Sequence, residues 1–402
     1  MSQSRIEPAD QRAGQTGLSV PARGNEPWSR RSIPEFVPES EPRRRSRKRC
    51  RWSFFGAFLG VACVLAASPA TALDIVSRKS SEKNVQGTIT QITRDGITVT
   101  PRLGKPITIP ANDIQSVRWD GEPAKLNLAR GDEKSGRVEK ALQTYQEILK
   151  QIGPGKTNLK RDVEFLIARA TARLARTDSS KRDLAIQALE AFLKKASDSF
   201  RYYEAVQLLG ELYLAKKDFR QAKSAFEQLG RAPWRDFQMA AQSALAQILL
   251  AQGKVSEALK TFDAVLQAQA KTPLEKQRRW EAMLGKANCL VQQKQYEPAL
   301  KLLQDVVREA PAENSRILAE AYVRQGDCLQ AMGKPKEAVL AYLHVPVLFP
   351  QESQRHAEAL YHLSRLWNAV ERPERAADAR AELESKYPDS PWTKRLTAAS
   401  SQ

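Results

Sequence analysis

The sequence is poor in cysteine, histidine and aromatic residues, and each shortage removes a class of function. Four cysteines in 402 residues cannot make a disulfide scaffold. Of the three histidines, His356 and His362 stand six residues apart, so a helix turns them to opposite faces and no metal site is expected. The plain expectation for His344, His356 and His362 is surface or groove positions. No nucleophile has a His/Asp partner nearby in the pattern, and no pair of glutamates stands apart from solvated helix faces, so an enzyme is not expected. No cofactor is expected either. The stretch Gly153-Pro154-Gly155-Lys156-Thr157 looks like a phosphate loop, but Lys150 stands where the first glycine should be. That stretch reads as a helix end and linker.

Charge is plentiful but not massed. There are 64 Lys/Arg against 46 Asp/Glu, a net +18, of which residues 1–51 hold 12 basic and 6 acidic. Beyond them, basic pairs such as Lys194-Lys195, Lys216-Lys217 and Arg278-Arg279 are interleaved with acids, as on solvated helix faces. Nucleic acid is therefore not the expected partner, whereas a basic exterior suits anionic lipid or cell-wall polymer.

Residues 1–51 are rich in Ser, Pro, Arg and Glu without apolar periodicity and read as disordered. The basic run Arg43–Arg49 then abuts an uncharged stretch, 52–73, whose apolar centre is followed by Ser68-Pro69-Ala70-Thr71-Ala72. A positive flank, an apolar centre and small residues describe an export signal cleaved after Ala72, or an uncleaved membrane anchor of 22 residues. A lipid-attachment reading at Cys63 is weaker, because Gly60 replaces a bulky aliphatic residue. All three place the rest of the chain outside the cytoplasm, in the periplasm or another extracytoplasmic space.

Residues 85–120 alternate apolar and polar side chains. Strands are expected at 85–93, 97–100, 106–109 and 114–119, with Asp95-Gly96 as a hairpin turn. They make a small all-β module that resembles SH3-like or Sm-like sheets and needs the first helices to pack on.

From 125 to 395 the period is helical. Residues 319–350 read as two short helices: Gly333 ends the first, Pro335 opens the second, and Pro346 kinks or stops it. Gly326 and Ala338 are small where the helices cross. The pair leaves two apolar faces uncovered and cannot fold alone. It recurs, with small residues Ala222, Ala258, Ala299, Ala338 and Ala376 at steps of 36, 41, 39 and 38. Twelve residues before each lies Gly210, Ala246, Ala287, Gly326 or Ser364. Four after lies Phe226, Phe262, Leu303, Tyr342 or Arg380. Looser units surround Ala141-Tyr145 and Ala185-Leu189.

This pattern resembles the tetratricopeptide repeat. In unit 201–234, Leu209-Gly210, Tyr213, Ala222, Phe226 and Pro233 fall at the family's signature places. The resemblance implies a mainly α fold, a right-handed α-solenoid of about seven helical hairpins. Linkers 271–280 and 311–317 are longer than the family's pattern, and the aromatic is missing from the last unit and from the one around Ala185. Phe349-Pro350 and Tyr387-Pro388 between units look like exported bacterial members, such as the Tol–Pal periplasmic coordinator and the β-barrel assembly lipoprotein. The family's groove-facing places fall on Gln207, Glu211, Ser243, Gln247, Asn288, Gln292, Arg324, Asp327, Tyr361, His362 and Arg365. The Lys/Asn/Arg clamp that some members close on a terminal carboxylate is not recognisable. Cys289 and Cys328 occupy equivalent places on neighbouring first helices, whose 8–10 Å spacing exceeds disulfide reach, so two free buried thiols are expected. The expected function is a non-enzymatic scaffold of the cell envelope that binds a protein or peptide. The alternative is an adaptor, anchored through 52–73, that also binds polymer or anionic lipid during cell-wall or outer-membrane assembly.

Overall fold

A computed structural model describes residues 73–400. The disordered stretch and the export segment expected within residues 1–72 lie outside these residues. Five strands come first: β1 (Asp74–Arg78), β2 (Val85–Thr93), β3 (Gly96–Thr100), β4 (Ile107–Pro110) and β5 (Ile114–Arg118). They form one antiparallel sheet in the order β4-β3-β2-β1-β5. The sequence pattern shows four of these strands and hides β1, a five-residue strand following directly on the apolar segment. The hairpin turn also shifts. Arg94 and Asp95 form it, while Gly96 opens β3 opposite Thr93. Gly96 is there for space, since a Cβ would lie 2.3 Å from the Ile109 carbonyl oxygen on the next strand.

The helices follow as seven pairs: α1 (Ala124–Lys134) with α2 (Val138–Gln151), α3 (Thr157–Leu174) with α4 (Arg182–Lys195), and α5 (Tyr202–Ala215) with α6 (Phe219–Leu229). Then come α7 (Arg235–Ala251) with α8 (Val255–Gln267), α9 (Pro273–Gln292) with α10 (Tyr296–Glu309), and α11 (Ser315–Ala331) with α12 (Pro335–Leu348). The last pair is α13 (Ser353–Ala369) with α14 (Pro373–Lys386), and a final helix, α15 (Pro391–Ser400), packs back on α13. Each pair packs on the next, which makes an α-solenoid. Pro346 does not stop α12; it sits inside the last turn and costs the helix the one bond that its missing N–H would make to the Tyr342 carbonyl. Lys156 stands at the N-terminal boundary of α3 and donates to the Gly121 carbonyl at 2.7 Å, a linker role.

The contact that spaces the helices is a ring on a residue without a side chain. A Cβ at Gly210 would fall 2.6 Å from the Phe226 ring, and one at Gly326 would fall 2.6 Å from the Tyr342 ring. Phe226 and Tyr342 are fully buried by this seating. Turns inside the pairs need a left-handed residue, and Gly253 and Gly333 supply it at φ +80° and +72°. In three other pairs Lys217, Lys294 and Glu371 adopt the same backbone at φ +60° to +64°.

The sheet shares one core with the first pairs, running from Val76 and Ile97 through Trp119 and Leu126 to Phe165 and Leu212. Asp162 on α3 fixes the joint. It accepts from the Trp119 indole at 3.0 Å and from Arg201 at 3.1 Å, all three groups buried. Asn112 donates to Asp236 at the start of α7 at 2.8 Å, and Arg94 covers the Tyr202 ring at 3.9 Å. Cys289 and Cys328 are buried and free, and burial pushes each thiol up to about 11. Among the described residues no helix is long and apolar enough to cross a membrane.

The stack also returns on itself. Gly136, in the turn between α1 and α2, lies against Gln351 between α12 and α13; a Cβ built there would be 3.4 Å from the Gln351 Cβ. Two outcomes follow. Gly326→Leu drives a side chain into the Tyr342 ring and lowers stability by about 1–3 kcal/mol or more; an unchanged melting curve would refute the contact. A Gly136→Cys/Gln351→Cys pair is close to disulfide spacing and should cross-link under mild oxidation in native buffer but not in urea. Failure to cross-link in a variant that still folds would count against this contact.

Candidate functional site

The first helices α3, α5, α7, α9, α11 and α13 line a half-open cavity of about 450 Å³ on the concave surface. Five sequence-predicted residues meet there: Gln207 and Glu211 on α5, Ser243 and Gln247 on α7, and Asn288 on α9. Arg173, Arg176, Arg316 and Arg355 also line it, with Glu281, Glu320 and Glu352. The other predicted residues lie apart. Gln292 is exposed and does not line the cavity. Arg324, Asp327, Tyr361, His362 and Arg365 form a second group near the C-terminal end.

That second group is not an open groove. Tyr361 is only 4 % exposed, because Trp392 of α15 packs on its ring at 5.2 Å. Arg365 donates to the Tyr361 hydroxyl at 2.9 Å. Asp327 accepts from the Tyr342 hydroxyl at 2.7 Å, and His362 stacks on the Tyr342 ring at 4.6 Å. The sequence pattern could not show this, since α15 falls beyond the repeated units.

Sequence reading missed the ladder of ion pairs that ties one first helix to the next. Glu133 on α1 takes Arg169 of α3 at 2.8 Å, and Arg169 reaches Glu204 of α5 at 3.5 Å. Arg176, just past α3, holds Glu211 of α5 at 2.6 Å. Arg278 of α9 pairs with Glu281 at 2.9 Å, and Glu281 also holds Arg316 of α11. Arg324 of α11 bonds Glu358 of α13 at 2.7 Å, while Arg355 of α13 reaches back to Glu320. Burial opposes the charge on Glu204 and Glu358, but the flanking arginines outweigh it and hold each carboxyl at about 2. The available signal was acids and bases recurring on one face of successive first helices. Only α7 breaks the ladder, with no charged residue between Phe237 and Ala251.

His356 departs from the surface position expected of it. It is 1 % exposed, with Nδ1 bonded to the Tyr387 hydroxyl at 2.8 Å and Nε2 3.6 Å from Glu382. Burial lowers its pKa to about 4. Among the described residues no group of three or more His, Cys, Asp or Glu is placed to hold a metal ion.

Hairpins of this geometry, stacked with their first helices inward, define a helical-repeat interaction protein. Residues 207–273 and 243–314 match the tetratricopeptide repeat family model. The match covers residues 207–314 of the chain's 402. No curated protein matches it. Similar solved structures include a tetratricopeptide repeat protein from Parabacteroides merdae ATCC 43184, 17 % identical, which covers 67 % of this chain and 96 % of its own at a TM-score of 0.41. PilW, a type IV pilus biogenesis factor, is 18 % identical over 59 % of this chain and 98 % of its own, TM-score 0.38. A Rap protein complexed with competence and sporulation factor is 17 % identical over 67 % and 76 %, TM-score 0.44.

The buried groups predict an acid-sensitive fold. Unfolded, His356 takes a proton near pH 6.5, whereas folded it resists until about 4, so stability falls as pH drops across that window. Glu204 and Glu358 extend the loss from about pH 4.5 towards 2. Urea titrations of His356→Gln should flatten the first fall and leave the second. An unchanged slope between pH 6.5 and 4.5 would remove His356 from the account.

Proposed function

We propose that this chain is a non-enzymatic interaction scaffold of the bacterial cell envelope that holds a protein or peptide partner on its concave surface. The observation that carries the reading is the cavity of about 450 Å³, lined by the first helices and by five of the residues that the repeat pattern places there. A segment held through Ser243, Gln247 and Asn288 would be extended, because a helix has already paired its own backbone N–H and C=O groups and leaves none for these side chains. Export through 52–73 is supported by the sequence pattern of that segment and by the position of β1, which begins at Asp74, two residues past the expected cleavage point.

The test is capture from envelope extract. Gln247→Trp, which fills the cavity, should lose the partner, whereas Lys301→Trp, at an exposed place on α10, should keep it. Equal capture by both variants rejects the concave surface. Intact mass of the exported form reads the leader: a start at Leu73 means a soluble protein, and retention of 52–73 an anchored one.

A further inference from the structure

We propose that the cavity takes an uncharged, extended internal segment of polypeptide with small side chains, and that Ser243 is the group that positions it. The inference rests on the concave-surface reading above and adds the chemistry of the occupant.

Three observations converge on α7. First, the charged groups lining the cavity are already satisfied within the protein. Arg173 pairs with Glu133, Arg176 with Glu211, Arg316 with Glu281, and Arg355 with Glu320 and Glu358. Glu352 accepts from the Ser315 hydroxyl at 2.5 Å. A terminal carboxylate or an acidic side chain would have to compete with the acid that each arginine already holds. A lysine would meet the same obstacle with the signs reversed.

Second, Ser243 stands where the ladder is broken. It lines the cavity, is 4 % exposed, and its hydroxyl has no hydrogen-bond partner. Buried polar groups are nearly always paired, so an orphan hydroxyl on a residue that lines a cavity points to a bond that an occupant completes. A hydroxyl both donates and accepts, which suits a peptide N–H or C=O.

Third, the surroundings of Ser243 match a main chain with short side chains. Gln247 and Asn288 add amides, each with donors and an acceptor, while Ala240, Ala244 and Leu284 offer small apolar surface. A neutral glycan fits less well. The one aromatic ring on the cavity, Phe226, is buried in its own hairpin and offers no face for a sugar.

The experiment pans the full chain against randomised octapeptides, N-acetylated and C-amidated, with a free-acid version of the same library and a neutral maltodextrin as parallel probes. Selected blocked peptides should be depleted in Asp, Glu, Lys and Arg over a short window. Ser243→Ala should weaken them about fivefold, the worth of one neutral hydrogen bond, with the melting curve unchanged. Ser243→Thr should restore binding, and Gln247→Trp should abolish it. Enrichment of charged residues, dependence on the free carboxylate, preference for the oligosaccharide, or no enrichment at all each overturns the inference. In those cases the capture experiment decides the concave surface separately: loss of the partner with Gln247→Trp keeps that reading standing.

Discussion

Protein interiors pack as densely as organic crystals, so where two helices cross, the smallest side chain at the crossing sets how closely they approach. At Gly210 and Gly326 there is no side chain, and a ring from the second helix of the same pair occupies the space. Gly285 does the same between pairs, with a built Cβ 2.3 Å from the Phe262 ring of the preceding unit. These contacts bury the second helices against the first and leave the opposite side of each first helix uncovered. The ion-pair ladder and the cavity exist only because that side is free.

The same contacts explain what could be read from the chain. A small residue followed by a ring sixteen places later is a local pattern repeated in register, so the hairpins were visible. The turns within them were not. Lys217, Lys294 and Glu371 hold a backbone conformation that favours glycine, at an expense of about 1–3 kcal/mol each that packing on both sides must offset. Propensity alone reads those positions as ordinary helix. β1 was hidden because five residues beside a long apolar stretch carry no alternation of their own. For the site, transferring positions from the repeat placed Ser243, Gln247 and Asn288 in the cavity. It could not foresee that Trp392 covers Tyr361 or that Arg324 is bound to Glu358, because both partners lie more than thirty residues away.

A stack of repeats has two raw ends, and this chain closes each with a tryptophan. At the first end Trp119 joins the sheet to α3 through Asp162, which Arg201 also holds. At the other, Trp392 of α15 lies over Tyr361 and 5.7 Å from His362. The sheet, too small to be stable alone, gains a core by covering the first pairs; those pairs gain an end that water does not reach.

The ladder also separates two roles of charge. Inside, acids and bases neutralise one another within about 4 Å, so the concave surface projects little field of its own. The excess of basic residues lies elsewhere and acts over about 8 Å at physiological salt, too diffusely to select among partners. In the function proposed above, selection falls to short-range contacts where the ladder is interrupted. That place is α7, which alone among the first helices lining the cavity brings no charged side chain to it. The neutral helix is thus as much a part of the electrostatic design as the charged ones on either side of it.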